Sequence, residues 1–176
     1  MSNFAAKTLL TIAVIFAVMV FIPAPSHAAL ATTSLNISLS TANTCSVATN
    51  PINLGNYSNL QPTENVNTVT NAIVVTCTSG VNYTVDLGQG SNFGLGPQGG
   101  RSLKDGGAGT TFLSYRLYWD TAKTQIAGST IPTGTSKGGV GNGSVQLIEL
   151  TGVALANQPV TVQAPYADTV TIDVTW

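Results

Sequence analysis

Two stretches of this chain alternate strictly between apolar and polar residues, and they lie near its opposite ends. In Tyr166 to Trp176, the residues Val170, Ile172, Val174 and Trp176 point one way and Thr169, Thr171, Asp173 and Thr175 the other. In Ala31 to Ser40, Leu35, Ile37 and Leu39 alternate with Ser34, Asn36, Ser38 and Ser40. A period of two belongs to a strand with one buried face. The pattern predicts a chain that finishes inside a strand whose outer edge is uncovered. It also predicts a separate amphipathic strand near the start. An uncovered edge and a spare strand together imply assembly by strand exchange between subunits.

The first segment reads as a leader rather than as part of the fold. Lys7 is followed by an apolar run from Thr8 to Ile22, then Pro23 and Pro25. Ser26-His27-Ala28 fits a small-x-small cleavage site, so cleavage is expected between Ala28 and Ala29. The apolar run is short for a membrane span, and no stable membrane insertion is expected after cleavage. The expected organisation is a signal peptide at 1–28, an extension strand at 29–43 and one sandwich domain at 44–176. Cleavage removes Lys7, one of six basic residues, and His27, the single histidine. The remaining chain has no basic patch for nucleic acid. Charged residues make up only 7% of the sequence, against roughly 25% in an average protein. Neutral polar side chains fill the surface instead and repel like neighbours weakly.

The two cysteines, Cys45 and Cys77, read as one disulfide in an exported chain. Between the alternating ends, Cys45 to Tyr57 is extended and interrupted by Pro51 and Gly55. Asn59 to Asn67 is a predicted loop. Val69 to Thr78 is rich in β-branched residues, and Tyr83, Val85 and Leu87 alternate after a Ser79-Gly80 turn. Gly88 to Gly109 and Gly134 to Gly143 read as glycine-rich connections. From Phe112 to Asp120, Leu113, Tyr115, Leu117 and Trp119 share one face, and Ser114, Arg116 and Tyr118 the other. Val145 to Leu155 reads as two short strands or a bulged one, and Val160 to Val162 as a short edge piece. No helical period runs far. The chain is expected to be all-β, a sandwich of about seven strands plus the leading one.

Little in this chain points to catalysis. Without histidine beyond the leader, Ser-His-Asp and Cys-His chemistry are excluded as normally built. The carboxylates Glu64, Asp86, Asp105, Asp120, Glu149, Asp168 and Asp173 are scattered, and solvated positions are expected for most of them. Gly94-Leu95-Gly96-Pro97-Gln98-Gly99 matches the dinucleotide fingerprint by letters. Pro97, Gly106 and Gly107 rule out the helix that fingerprint needs. No calcium loop is present, and two cysteines without histidine make a poor zinc site. No catalytic residue, metal or cofactor is expected. Asn36, Asn82 and Asn142 lie in glycosylation sequons that arise by chance in such a composition.

Several segments, taken in order, resemble the spore coat protein U domain found in subunits of archaic-type chaperone–usher pili. Thr33 to Cys45 resembles the family's opening, and Ile52-Asn53-Leu54-Gly55-Asn56-Tyr57 its next signature. Val74 to Thr78 and Tyr83 to Leu87 resemble two following strands. Arg101-Ser102-Leu103 with Leu113 to Asp120, and Tyr166 to Trp176, resemble its core and closing signatures. Ala164-Pro165 departs from the family's usual glycine before the tyrosine. The resemblance implies an immunoglobulin-like β-sandwich lacking its final strand. A neighbouring subunit's leading strand would complete it, after a periplasmic chaperone has held the groove and an outer-membrane usher has received the subunit. On that basis the donor strand is expected at Thr33, Leu35, Ile37 and Leu39. The acceptor groove is expected at Ile52, Leu54, Val170, Ile172, Val174 and Trp176. Partners would be identical or related pilins, the chaperone and the usher, at the cell surface, in adhesion and biofilm formation. The alternatives are a secreted coat protein that pairs its own first strand, or an adhesive module that binds carbohydrate. The latter needs an exposed aromatic platform, for which Tyr118 is the outward candidate.

Overall fold

Short β-branched runs between glycine and proline turns fold here into nine strands, with no helix among the described residues. The computed structural model describes residues 34–106, 110–160 and 164–176. The predicted leader at 1–28, the cleavage position at Ala28 and Ala29, Thr33, Thr161 and Val162 lie outside them. Residues 34–39 belong to one unit and 40–176 to a second.

In the first unit Leu35, Ile37 and Leu39 are 83, 86 and 89% exposed, and residues 34–40 carry no strand. Alternation alone does not make a strand. Without a ladder the backbone gains nothing from extending, so water satisfies its polar groups instead.

The second unit holds β1 (Cys45–Thr49), β2 (Asn65–Cys77), β3 (Asn82–Leu87), β4 (Arg101–Asp105), β5 (Phe112–Tyr118), β6 (Lys137–Val140), β7 (Gln146–Ala154), β8 (Tyr166–Ala167) and β9 (Ile172–Thr175). Six strands form one sheet in the order β1-β2-β7-β5-β4-β8, and three form a second in the order β6-β3-β9. All named pairs are antiparallel. One apolar cluster draws on both sheets. Ile73, Val75 and Cys77 come from β2, Val85 and Leu87 from β3, Leu117 from β5, and Ile148 and Leu150 from β7. These side chains alternate with more exposed ones along their strands, as a half-buried sheet requires.

The Cys45–Cys77 disulfide ties the first residue of β1 to the last of β2, which are cross-strand partners. The turn at Ser79-Gly80 uses φ +82° at Gly80, a conformation that a side chain disfavours. Two expected connections hold short strands instead. β4 lies within Gly88–Gly109 and β6 within Gly134–Gly143. In each case a strand neighbour supplies the ladder that the local composition does not advertise: β5 for β4, and β3 for β6. The Val145–Leu155 region is one strand, β7, and the register break falls in its partner β2, between Val69 and Ile73. Val160 is in no strand.

Candidate functional site

The second sheet ends at β9, which pairs with β3 on one side and with no strand on the other among the described residues. The Gly88 N–H donates to the Thr171 carbonyl at 2.9 Å. In an antiparallel ladder, backbone groups alternate in direction along the strand. Thr171, Asp173 and Thr175 therefore bond toward β3, and the N–H and C=O groups of Ile172 and Val174 point to the open edge. The side chains of Val170, Ile172 and Val174 pack on the core cluster yet remain half-buried. By contrast Val85 and Leu87, on the neighbouring strand, are 0 and 1% exposed. Among the described residues no strand covers that edge of the core.

A second stretch flanks the same core. Beyond β1, Ile52 and Leu54 alternate inward without a strand ladder and pack on the core cluster. Their methyl groups lie so close to Gly152 of β7 that a Cβ there would meet Ile52 Cγ2 and Leu54 Cδ2 at 2.9 Å each. Tyr57 pins the far end of this stretch. Its hydroxyl donates to the Leu155 carbonyl at 2.8 Å and accepts from the Gln158 N–H at 3.0 Å. Gln158 is itself fully buried and exchanges bonds with the Ser114 backbone at 2.6 and 2.9 Å.

Between the 52–57 stretch and the residues at β8 lies a cavity of about 800 Å³. Ile52, Leu54 and Tyr57 line it on one side, Ala164, Pro165 and Tyr166 on the other, and Leu103, Leu113 and Ala154 also contribute. Past the end of β9, the Trp176 indole N–H donates to the carbonyl of Asn43, which precedes β1, at 3.4 Å.

The residues expected in the groove divide accordingly. Ile52 and Leu54 line the cavity, whereas Val170, Ile172 and Val174 flank the core further along β9 and do not line it. Trp176 is 59% exposed and reaches across to Asn43 rather than into the core. Sequence reading did not include Leu103, Leu113, Ala154 or Tyr57. Alternation marked Leu113 as inward, but only tertiary packing brings these residues from four elements to one cavity. Val47, the cross-strand partner of Val75, is 45% exposed on the edge strand β1 and was also not included.

Buried polar groups hold the frame around this site. Arg101 is 2% exposed, and its guanidinium donates to the carbonyls of Gly88 at 2.6 and 3.0 Å, Ala127 at 2.9 Å and Leu87 at 3.3 Å. Burial lowers its pKa, partly opposed by Tyr115, Asp168 and Asp86. The Tyr115 hydroxyl donates to Asp168 Oδ2 at 2.7 Å, and burial followed by that bond pushes its pKa up. The other oxygen of Asp168 accepts from the Ser91 N–H and the Asn92 amide at 3.0 Å each.

Carboxylates expected on solvated faces are thus partly structural. Asp105 is 3% exposed and bonded by the Thr111 hydroxyl, and Asp86 is bonded by the Ser129 hydroxyl and N–H. Asp120 caps its own turn through Thr124 and Gln125. The outward aromatic candidate, Tyr118, is 7% exposed and packs with Val153, Leu155 and Ile126. Its face is outward with respect to the core cluster but is covered by a second, smaller one, so it offers no platform for a sugar ring.

The arrangement defines a class: an all-β chain of two sheets with one edge of its core uncovered. The chain belongs to the Spore Coat Protein U domain family, whose profile matches residues 31–173 and so takes in the first alternating stretch and the second as far as Asp173. It is also similar to a crystal structure of the CsuC–CsuE chaperone–tip adhesion subunit pre-assembly complex from archaic chaperone–usher Csu pili of Acinetobacter baumannii. That similarity has 19% sequence identity and a TM-score of 0.48, over 77% of this chain and 40% of that one. Among curated proteins none matches it.

Proposed function

We propose that this chain is a structural subunit of a surface pilus or fimbria, built by donor-strand exchange. Thr33, Leu35, Ile37 and Leu39 of one copy complete the groove of the next, against Ile52, Leu54, Val170, Ile172 and Val174. A periplasmic chaperone covers the groove before assembly, and an outer-membrane usher is where the strands exchange. The finished fibre stands on the cell surface and serves adhesion and biofilm formation.

The observation that carries this reading is the unpaired edge of β9 beside half-buried Val170, Ile172 and Val174. Such an edge over incompletely covered apolar side chains is prone to aggregation unless a strand covers it. The exposed Leu35, Ile37 and Leu39 have the spacing of such a strand. Burying them is worth about 1.5–3 kcal/mol each before the cost of ordering. The main-chain ladder along β9 adds to that.

The test is gel mobility of surface-extracted protein in detergent, unheated and non-reduced, beside a variant lacking Ala31 to Ser40. A heat-sensitive ladder in the full-length protein, absent in the variant, is the expected result. A single folded monomer band in the full-length protein would sink donation in trans and favour a first strand paired within its own chain.

A further inference from the structure

We propose that the end of the sandwich where the leading segment is rooted is a second contact surface between copies, anchored by the exposed Trp176 ring. The inference rests on the donor-strand reading above and adds a surface to it. The occupant is the second copy of this chain that receives the strand.

The tether between strand and sandwich is short. Cys45 is fixed to β2 by its ladder and by the disulfide to Cys77. Thr44 is held next to it. The Thr78 N–H donates to the Thr44 carbonyl at 3.0 Å, and the Thr44 N–H donates to the Thr78 hydroxyl at 3.2 Å. The Asn43 carbonyl accepts from the Trp176 indole at 3.4 Å. Only Ser40, Thr41 and Ala42 separate Asn43 from Leu39, the last apolar residue of the leading segment. Four extended steps along the chain, from Leu39 to Asn43, span at most about 14 Å. A body the size of residues 40–176 has a radius of gyration of about 14 Å as well. With Leu39 seated on the accepting copy, the donor's sandwich has no room to stand clear of it. The two bodies touch, and the donor touches through the end that carries Asn43.

The residues at that end suit a contact with a like copy. Trp176 is 59% exposed, and its N–H is spent on Asn43, so the part of the ring that meets water is apolar. Large aromatic side chains are favoured anchors of interfaces. Near the tether root, the Gly80 N–H donates to the Gly141 carbonyl at 2.8 Å and joins two turns. A hollow of about 330 Å³ opens there, lined by Thr44, Ser46, Thr76, Thr78 and Gly143 among others. None of residues 40–46, 76–80, 141–144 and Trp176 bears a charged side chain. Such a surface packs against a like copy without charge repulsion.

The experiment is photo-cross-linking in assembled fibres of the full chain, with p-benzoylphenylalanine incorporated in place of Trp176. A second protein carries it in place of exposed Asn142, in case position 176 does not accept it. Adducts are mapped by mass spectrometry after the fibres are dissociated by heat. The expected product joins either position to residues 44–176 of another copy, and is absent when subunits are irradiated after dissociation. In Trp176→Ala the heat-sensitive ladder should persist, while the persistence length of the fibres in electron micrographs falls at least two-fold.

An adduct confined to residues 29–39 of another copy, or to the protein's own chain, would overturn the second surface and leave donation standing. Unchanged stiffness in Trp176→Ala would overturn the ring as its anchor. Absence of any ladder in unaltered protein would overturn donation and the second surface together.

Discussion

Arg101 is a buried cation that the structure satisfies with carbonyl oxygens alone. Among the described residues its guanidinium donates to no carboxylate, and its partners lie at the end of β3 and in the segment after β5. It therefore stitches the strand next to β9 to the larger sheet, in which β4 sits. Asp86 works nearby, on the connection that carries Ser129. Burial disfavours its charged form, but the Ser129 hydroxyl and N–H, the Leu87 N–H and the Arg101 charge together outweigh that and hold its pKa below the ordinary 3.8. A carboxylate with a lowered folded-state pKa stabilises the fold fully above its unfolded value. That contribution is lost as pH falls through the folded value. Urea unfolding followed from about pH 5 to about pH 2 should thus show a shallower acid decline in Asp86→Asn than in unaltered protein. Equal slopes would remove Asp86 from the acid response. Neither role was visible in the residues themselves, since Arg101 follows two glycines and Asp86 sits on the outward side of an ordinary alternating run. Their partners are supplied by distant carbonyls and a distant turn.

The segment 52–57 shows what an element needs beyond its own pattern. Ile52 and Leu54 alternate like strand residues and face inward, yet Pro51 and Gly55 interrupt the ladder, and Gly55 adopts φ +76°. The segment is held by its side chains instead, with Ile52 and Leu54 on Gly152 and Tyr57 on Gln158 and Leu155. Gly152 is needed because any side chain there occupies the space of both apolar residues. Gly152→Val should cost about 1–3 kcal/mol by overpacking, read as a lower urea midpoint. It should also reduce the fibre ladder, because the displaced stretch is one wall of the proposed groove. A midpoint within error of the unaltered protein would mean that the stretch moves freely. The glycine in β7 was legible as a break in an apolar run, but its function was not: the residues that approach it lie about a hundred positions earlier in the chain.

For the whole molecule, cover over the core is uneven among the described residues. Burial is complete at Ile73, Val85 and Val153 and incomplete along β9. On the proposed reading, donor segment and groove are different surfaces of one chain, which makes contacts between copies head-to-tail, and these propagate into filaments when the rotation does not close. Ile37→Asp tests this without disturbing the sandwich, since Ile37 is 86% exposed. Desolvating a carboxylate in the groove is unfavourable, so the ladder should collapse while circular dichroism of the subunit stays unchanged. A normal ladder in Ile37→Asp would take the leading segment out of assembly.

Local pattern alone determined the class of structure and several of its faces. Period-two alternation is a backbone property, so it marked the inward faces of β3, β5 and β9 before any partner was known. The cysteine pair was legible because an exported chain with two cysteines has few other uses for them. Tertiary structure decided what depends on distant neighbours. It made strands of β4 and β6 by providing paired edges, covered Tyr118, gathered Leu103, Leu113 and Ala154 around one cavity, and turned Trp176 out toward Asn43. Alternation states which side of a strand is apolar, but not whether another element covers it, and the proposed strand exchange would act where apolar surface is left uncovered.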